Sequence, residues 1–329
     1  MAETDGVNRS VRVRGIVQGV GFRPAVCRAA RTLGLQGDVR NDGDGVLIHA
    51  TGPAASVAAL IAGLRRAPPP LARIASLDVS PLDVRPAAAG FSILDSTCGG
   101  AGSTATPDAA TCAACAAEIA DPADRRFRYP FPSCTACGPR FTILDAMPFD
   151  RARTTMARFP LCAACAAEYD DPADRRFHAE AIACPACGPP LAFGDRRGEA
   201  ALQAAIALLA GGGILAVKGL GGYQLACDAA DAAAVARLRE RKRRATKPFA
   251  VMLRDLPAVR ALCRVSAAKA ALLASAVAPI LLLLRRGGDG VAAGVAPGLD
   301  WLGVMLPTTP LHLLLLEPCA GRALLRSIG

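Results

Sequence analysis

The chain has 329 residues, 52% of them hydrophobic, with 14 aromatics and a formal net charge of +10. That is enough apolar material for two or more cores, and it excludes a wholly disordered chain. The charge is +3 over residues 1–95, −2 over 96–189 and +9 over 190–329, which reads as a local anion site in the last third rather than a field along the whole molecule.

The opening MAETDGVNRSVRVRG is polar and has no apolar h-region, so no secretory leader is expected. The uncharged stretch 200–217 contains Gln203 and Gly211-Gly212-Gly213, which predicts a helix, turn and strand rather than a membrane span. Eight of the 13 cysteines fall into four Cys-x-x-Cys pairs. In a long chain without a leader they read as metal ligands in a reducing cytoplasm, not as a disulfide scaffold. Cys27, Cys98, Cys227, Cys263 and Cys319 stand apart and are expected to be buried small hydrophobes.

Residues 10–95 predict the order β-α-β-β-α-β. Val11 and Val13 alternate with Arg12 and Arg14, the period of a strand. Phe22, Val26, Ala30 and Leu33 then fall on one helical face, closed by Gly34. Strands 37–41 and 46–50 flank the hairpin signal Asp42-Gly43-Asp44-Gly45. Pro53 opens a second helix with Val57, Leu60, Ile61 and Leu64 inward, and segments 77–84 and 91–94 supply the final strand material. This is the order of a ferredoxin-like sandwich.

Between the first strand and helix lies Gly15-Ile16-Val17-Gln18-Gly19-Val20-Gly21-Phe22-Arg23-Pro24. Glycines let backbone N–H groups converge on an anion, the helix start adds its positive end, and Arg23 offers a planar fork. Together with Asn41 in GDVRNDGDGV, this string resembles the acylphosphatase family over the whole of 8–95. The resemblance implies that Gln18, Gly19, Val20, Gly21 and Phe22 form the phosphate-binding loop, that Arg23 binds the phosphoryl group, and that Asn41 positions the attacking water. An acyl phosphate already has a good leaving group, so positioning and charge neutralisation can supply most of the rate.

After a linker at 96–111, CAACAAEIADPADRRFRYPFPSCTACGPR (112–140) recurs as CAACAAEYDDPADRRFHAEAIACPACGPP (162–190), with a linker at 141–161. Cys112, Cys115, Cys134 and Cys137 map onto Cys162, Cys165, Cys184 and Cys187. Paired knuckles of this spacing complete closed tetrahedral thiolate shells, which makes two Zn²⁺ ions structural rather than catalytic. Four redox dithiols in tandem are the weaker reading, because none has a thioredoxin-like pattern around it. Each ion sits either within one copy or between copies; self-similarity favours the former.

From residue 199 the pattern alternates helix 200–210, strand 214–217, helix 231–240, strand 249–253 and a buried strand 280–284, an α/β domain with a twisted sheet over 199–329. Lys218-Gly219-Leu220-Gly221-Gly222-Tyr223 leaves a strand, and Arg239 to Phe249 carries a dense basic run. A run of this kind is commonly a solvated face or a complement to a helix end. The two strings resemble the YrdC-like fold of carbamoyl-adenylate and threonylcarbamoyl-adenylate synthases. That resemblance implies an ATP site, with Mg²⁺, at Lys218, Lys242, Arg244 and Lys247.

The three parts in this order make an α+β multidomain chain that resembles the HypF family of hydrogenase maturation carbamoyltransferases. The resemblance implies cleavage of carbamoyl phosphate in the first domain, formation of carbamoyl-adenylate with ATP, and transfer to the C-terminal cysteine of HypE in the cytoplasm. The chain is expected to stop short of the family's later YrdC-like part and its transferase domain. A zinc-bearing RNA-binding protein and a non-catalytic scaffold are the other classes considered. The first would need stacking surfaces that few aromatics supply.

Overall fold

The computed structural model describes residues 6–83, 90–97, 102, 104–288 and 290–317, with the backbone alone of Leu324–Ile328. Val84, Cys98 and Cys319 lie outside the described residues. Two compact units make up the chain: Met1–Asp108 with Ser133–Ala183, and Ala109–Pro132 with Cys184–Gly329.

The first unit opens with β1 (Gly6–Ile16), α1 (Phe22–Thr32), β2 (Gln36–Asp42), β3 (Gly45–Pro53), α2 (Ala54–Arg66), β4 (Arg73–Pro81) and β5 (Phe91–Ile93). The sheet order is β4-β1-β3-β2-β5. The segments expected as one last strand are in fact two. β4 pairs antiparallel with β1 at one edge, while β5 runs parallel to β2 at the other.

Side-chain alternation sets the register of this sheet. Val11 and Val13 are buried and Arg12 and Arg14 point away, so a one-residue slip would expose the core. Val11, Val13, Val39, Val46 and Ile48 meet Phe22, Val26, Cys27 and Ala30 of α1 and Leu60 and Leu64 of α2 in one cluster.

The duplicated segment contributes α3 (Ala113–Ala120) and α4 (Ala163–Asp170). Its backbone repeats closely. Arg128 N donates to Ile119 O at 2.9 Å, and His178 N donates to Tyr169 O at 2.9 Å. Arg128 and His178 both adopt left-handed φ, 53° and 49°. In each copy an aspartate carboxylate (Asp124, Asp174) accepts at 2.7 Å from the amide two residues on.

The remainder of the second unit runs β6 (Ala192–Phe193), β7 (Arg196–Arg197), α5 (Gly198–Ala210), β8 (Leu215–Lys218), β9 (Tyr223–Asp228), α6 (Ala232–Arg241), β10 (Ala250–Met252), α7 (Leu256–Leu262), α8 (Ala267–Leu273), β11 (Leu281–Leu284), β12 (Trp301–Met305), α9 (Pro310–Leu316) and β13 (Leu324–Ile328). Six strands form one mixed sheet in the order β11-β12-β10-β13-β9-β8. Successive residues feed opposite faces: Val251 and Val304 join one core cluster, Met252 and Met305 the other. α6 begins where predicted, because the Asp231 carboxylate caps the Ala233 and Ala234 amides at 2.9 and 3.0 Å.

The expectation of a buried strand at 280–284 needs correction. β11 is an edge strand, with Leu283 fully buried but Leu282 65% exposed and Ile280 outside the strand. A run of identical apolar residues carries no alternation, so its exposed face is invisible in the sequence. Cys27, Cys227 and Cys263 are fully buried, as expected of small hydrophobes. Residues 200–217 form helix, turn and strand, and no helix among the described residues is long and apolar enough to cross a membrane.

Candidate functional site

Gly19 and Gly21 shape the turn between β1 and α1. Both have left-handed φ, 68° and 73°, and a Cβ on Gly21 would lie 2.9 Å from the Thr135 side chain. The turn therefore needs glycine both for its conformation and for the close approach of residue 135. α1 starts directly behind it at Phe22, so its unpaired N-terminal amides and positive end face the turn.

Gln18 is buried, but its side chain serves the fold. Nε2 donates to Asp42 O at 2.7 Å and Gly45 O at 2.9 Å, and Oε1 accepts from Phe149 N at 3.0 Å. Its carbonyl accepts from Thr106 Oγ1 at 2.5 Å.

Arg23 and Asn41 lie side by side. Asn41 is 1% exposed on β2, and its amide oxygen, facing Arg23, accepts from Nε and Nη2 at 3.2 Å each. Arg23 is 7% exposed and also donates from Nη1 to Ser96 Oγ at 3.2 Å. Its Nη2 lies 2.9 Å from both Asp150 Oδ1 and Glu180 Oε1. Arg23, Asn41 and Glu180 line a small space of about 20 Å³ together with Gly19, Arg140, Phe149 and His178, room for about one water.

The Glu180 carboxyl is pushed up by burial and by the Asp150 charge. Arg23, the Arg151 amide and the Tyr169 hydroxyl offset this in part. Burial, followed by the Arg23 charge, lowers His178 to about 4, so it is a neutral imidazole. Arg140 closes the other side: Nε donates to Gly19 O, Nη1 to Cys137 O at 2.9 Å and Nη2 to Cys134 O at 3.0 Å.

The metal ligands assemble within each repeat. The sulfurs of Cys112, Cys115, Cys134 and Cys137 all lie within 4.8 Å of one another, as do those of Cys162, Cys165, Cys184 and Cys187. The Cys134–Cys137 and Cys184–Cys187 sulfurs are 3.8 and 3.7 Å apart. A tetrahedral ion with bonds of about 2.3 Å puts its sulfurs about 3.8 Å apart, so both clusters fit zinc. The sulfurs thus gather within each copy.

At the basic segment, Lys218 ends β8 with its Nζ 5.7 Å from the centre of the exposed Tyr223 ring. Lys242 caps α6, its amine lowered by desolvation and by the Arg244 charge. Arg244 donates to Lys247 O at 3.2 Å and Pro248 O at 2.6 Å, and its guanidinium lies 4.9 Å from the Phe249 ring centre. Its fork is therefore committed to the loop. Arg239, absent from the predicted ligand set, does the same: its guanidinium lies 4.6 Å from the Phe249 ring centre and Nη1 donates to Arg244 O at 2.7 Å.

Residues 9–93 match the acylphosphatase family, residues 111–144 and 161–193 the HypF finger, and residues 207–325 the Sua5, YciO and YrdC family described as telomere recombination. Carbamoyltransferase HypF2 of Cupriavidus necator is 53% identical over 320 residues, 95% of this chain and 40% of that protein. The crystal structure of full-length HypF in the phosphate- and nucleotide-bound form superposes with a TM-score of 0.94 at 42% identity, covering 99% of this chain and 43% of that one. The chain belongs to the HypF family.

It spans about 40% of the length of the curated HypF relative. An acylphosphatase of Caldivirga maquilingensis is 46% identical over 90 residues, 94% of its own length. The acylphosphatase family match, 9–93, carries the Gly19–Gly21 turn, Arg23 and Asn41. Asp150, Tyr169, His178 and Glu180 fall outside that match, and no local motif marks them. The one usable signal is that the HypF finger repeats diverge at 178–183, where HAEAIA replaces the first copy's RYPFPS.

Proposed function

We propose that the first domain hydrolyses carbamoyl phosphate and that the chain carries the opening steps of a HypF-type carbamoyltransferase. The convergence of Arg23, Asn41 and the Gly19–Gly21 turn in one buried pocket supports this reading more than any other observation. The amides of residues 18–22 and the Arg23 fork would take the phosphoryl oxygens where α1 adds its positive end. The Asn41 side-chain amide would orient water for attack on phosphorus. The P–O bond to the carbamoyl group breaks, carbamate leaves, and the water proton passes to a phosphate oxygen. Preorganised charge carries the rate, since no strong base is required.

The two four-cysteine clusters would hold Zn²⁺ as closed structural sites that stabilise the fingers and take no part in the reaction. In the second unit, ATP with Mg²⁺ would bind at Lys218, Lys242 and Lys247, with Arg244 and Arg239 shaping the loop. There carbamate would displace pyrophosphate from ATP to give carbamoyl-adenylate, and in the whole-length protein the carbamoyl group would pass to the C-terminal cysteine of HypE in the cytoplasm, with release of AMP.

The test is phosphate release from carbamoyl phosphate together with calorimetric ATP binding, in wild type, Arg23→Ala and Lys242→Ala. Arg23→Ala should lose phosphate release by about 10²–10³-fold. Lys242→Ala should weaken ATP binding and leave phosphate release in place. Phosphate release that survives Arg23→Ala would rule the reading out.

A further inference from the structure

Groups from outside the acylphosphatase-like domain reach its phosphoryl-binding arginine. Asp150 Oδ1 and Glu180 Oε1 each stand 2.9 Å from Arg23 Nη2. The Caldivirga acylphosphatase uses 94% of its length on 90 matched residues, so it has no room for a counterpart of 141–183. Whatever these groups do is additional to binding a phosphoryl group.

Glu180 differs from Asp150 in how firmly it is held. Its side chain is 4% exposed against 23% for Asp150. Glu180 Oε2 accepts from the Arg151 amide and the Tyr169 hydroxyl, both at 3.0 Å, and its own carbonyl accepts from Arg151 Nη1 at 2.8 Å. Oε2 is thus occupied and the side chain fixed, which leaves Oε1 directed at Arg23.

A dianionic phosphoryl group arriving at Arg23 takes over Nη2. Asp150 can turn to water, but Glu180 Oε1 would be left buried, without its cationic partner and next to a second anion. A donor on the substrate removes that conflict. The amino group of carbamoyl phosphate carries two N–H bonds and is separated from phosphorus only by the carbonyl carbon and the bridging oxygen. Acetyl phosphate puts a methyl group of similar size in the same place and has nothing to donate.

We propose that Glu180 is the specificity residue of the acyl-phosphate site, accepting a hydrogen bond from the carbamoyl amino group and so selecting carbamoyl phosphate over acyl phosphates that end in carbon. This rests on the reading of the first domain given above. A site built around an N–H donor rejects the analogue that lacks it, because its buried acceptor then goes unpaired.

The experiment compares kcat/KM for carbamoyl phosphate with that for acetyl phosphate in the full 329-residue chain, for wild type, Glu180→Gln and Glu180→Ala. The ratio of the two does not depend on the fraction of protein folded. Wild type should favour carbamoyl phosphate by about tenfold or more, and Glu180→Ala should bring the ratio close to one. Glu180→Gln, which keeps an acceptor oxygen without the charge, should fall between. A ratio unchanged in Glu180→Ala overturns the proposal. A wild-type ratio near one also overturns it and leaves the acyl-phosphate site standing, whereas hydrolysis of neither compound removes that site as well.

Discussion

Arg140 donates through Nε to the carbonyl of Gly19, so a residue of the first finger repeat holds the phosphate-binding turn directly. The same guanidinium binds the carbonyls of Cys134, Thr135 and Cys137. Burial lowers its pKa, opposed mainly by the Cys137 and Cys134 charges and Asp108. Replacing it with methionine keeps the volume and strands at least four carbonyls. Arg140→Met should destabilise the first unit by about 3 kcal/mol or more in urea unfolding, and phosphate release should fall with it.

Asn41 sits at the bottom of the pocket against Arg23. If it orients the attacking water, Asn41→Ala should lower kcat for acyl-phosphate hydrolysis by on the order of 10². The affinity for inorganic phosphate, which depends on Arg23 and the turn, should change little. Loss of phosphate binding to the same degree as kcat would assign Asn41 to anchoring Arg23 instead.

The two thiolate clusters predict two zinc equivalents by metal analysis. Cys137→Ser and Cys187→Ser should each leave one equivalent. Their effects on hydrolysis should differ, because the Cys137 carbonyl accepts from the guanidinium that holds Gly19. Cys137→Ser should therefore slow phosphate release more than Cys187→Ser, which stoichiometry alone does not explain.

His178 packs between Tyr169 and Phe177, with ring centres 4.8 and 4.7 Å away. Its folded pKa of about 4 lies below the value of 6.5 for an unperturbed imidazole. The unfolded chain binds the proton first on acidification, so this contribution is complete above pH 6.5 and is lost as pH falls toward 4. Its upper bound is about 3 kcal/mol, reduced by the part of the ring open to solvent. His178→Asn, which tolerates the left-handed backbone, should flatten the dependence of Tm on pH between 6.5 and 4 relative to wild type. An unchanged slope would place the acid sensitivity elsewhere, the thiolate clusters included.

Local chemistry was largely legible. Val11 and Val13 announced β1, Asp231 announced the start of α6, and the fifty-residue offset of the cysteines announced two equivalent fingers whose backbone agrees down to the left-handed residues 128 and 178. Arg23 and Asn41 were legible as a pair only through likeness to a family, since 18 residues of sequence separate them and no period connects them. Leu281–Leu284 misled, because four leucines carry no alternation to mark an edge. The basic run did not reveal that the Arg244 fork donates to the Lys247 and Pro248 carbonyls of its own loop.

By itself the sequence determined the three kinds of module, the eight thiol ligands and the glycine turn, because each depends on residues close in the chain or on a repeat. Tertiary structure alone decided which sulfurs gather into one cluster and which side chains surround Arg23. Glu180 lies 157 residues from Arg23, and its meaning comes from losing water beside a cation, a property of the folded interior that no local pattern encodes.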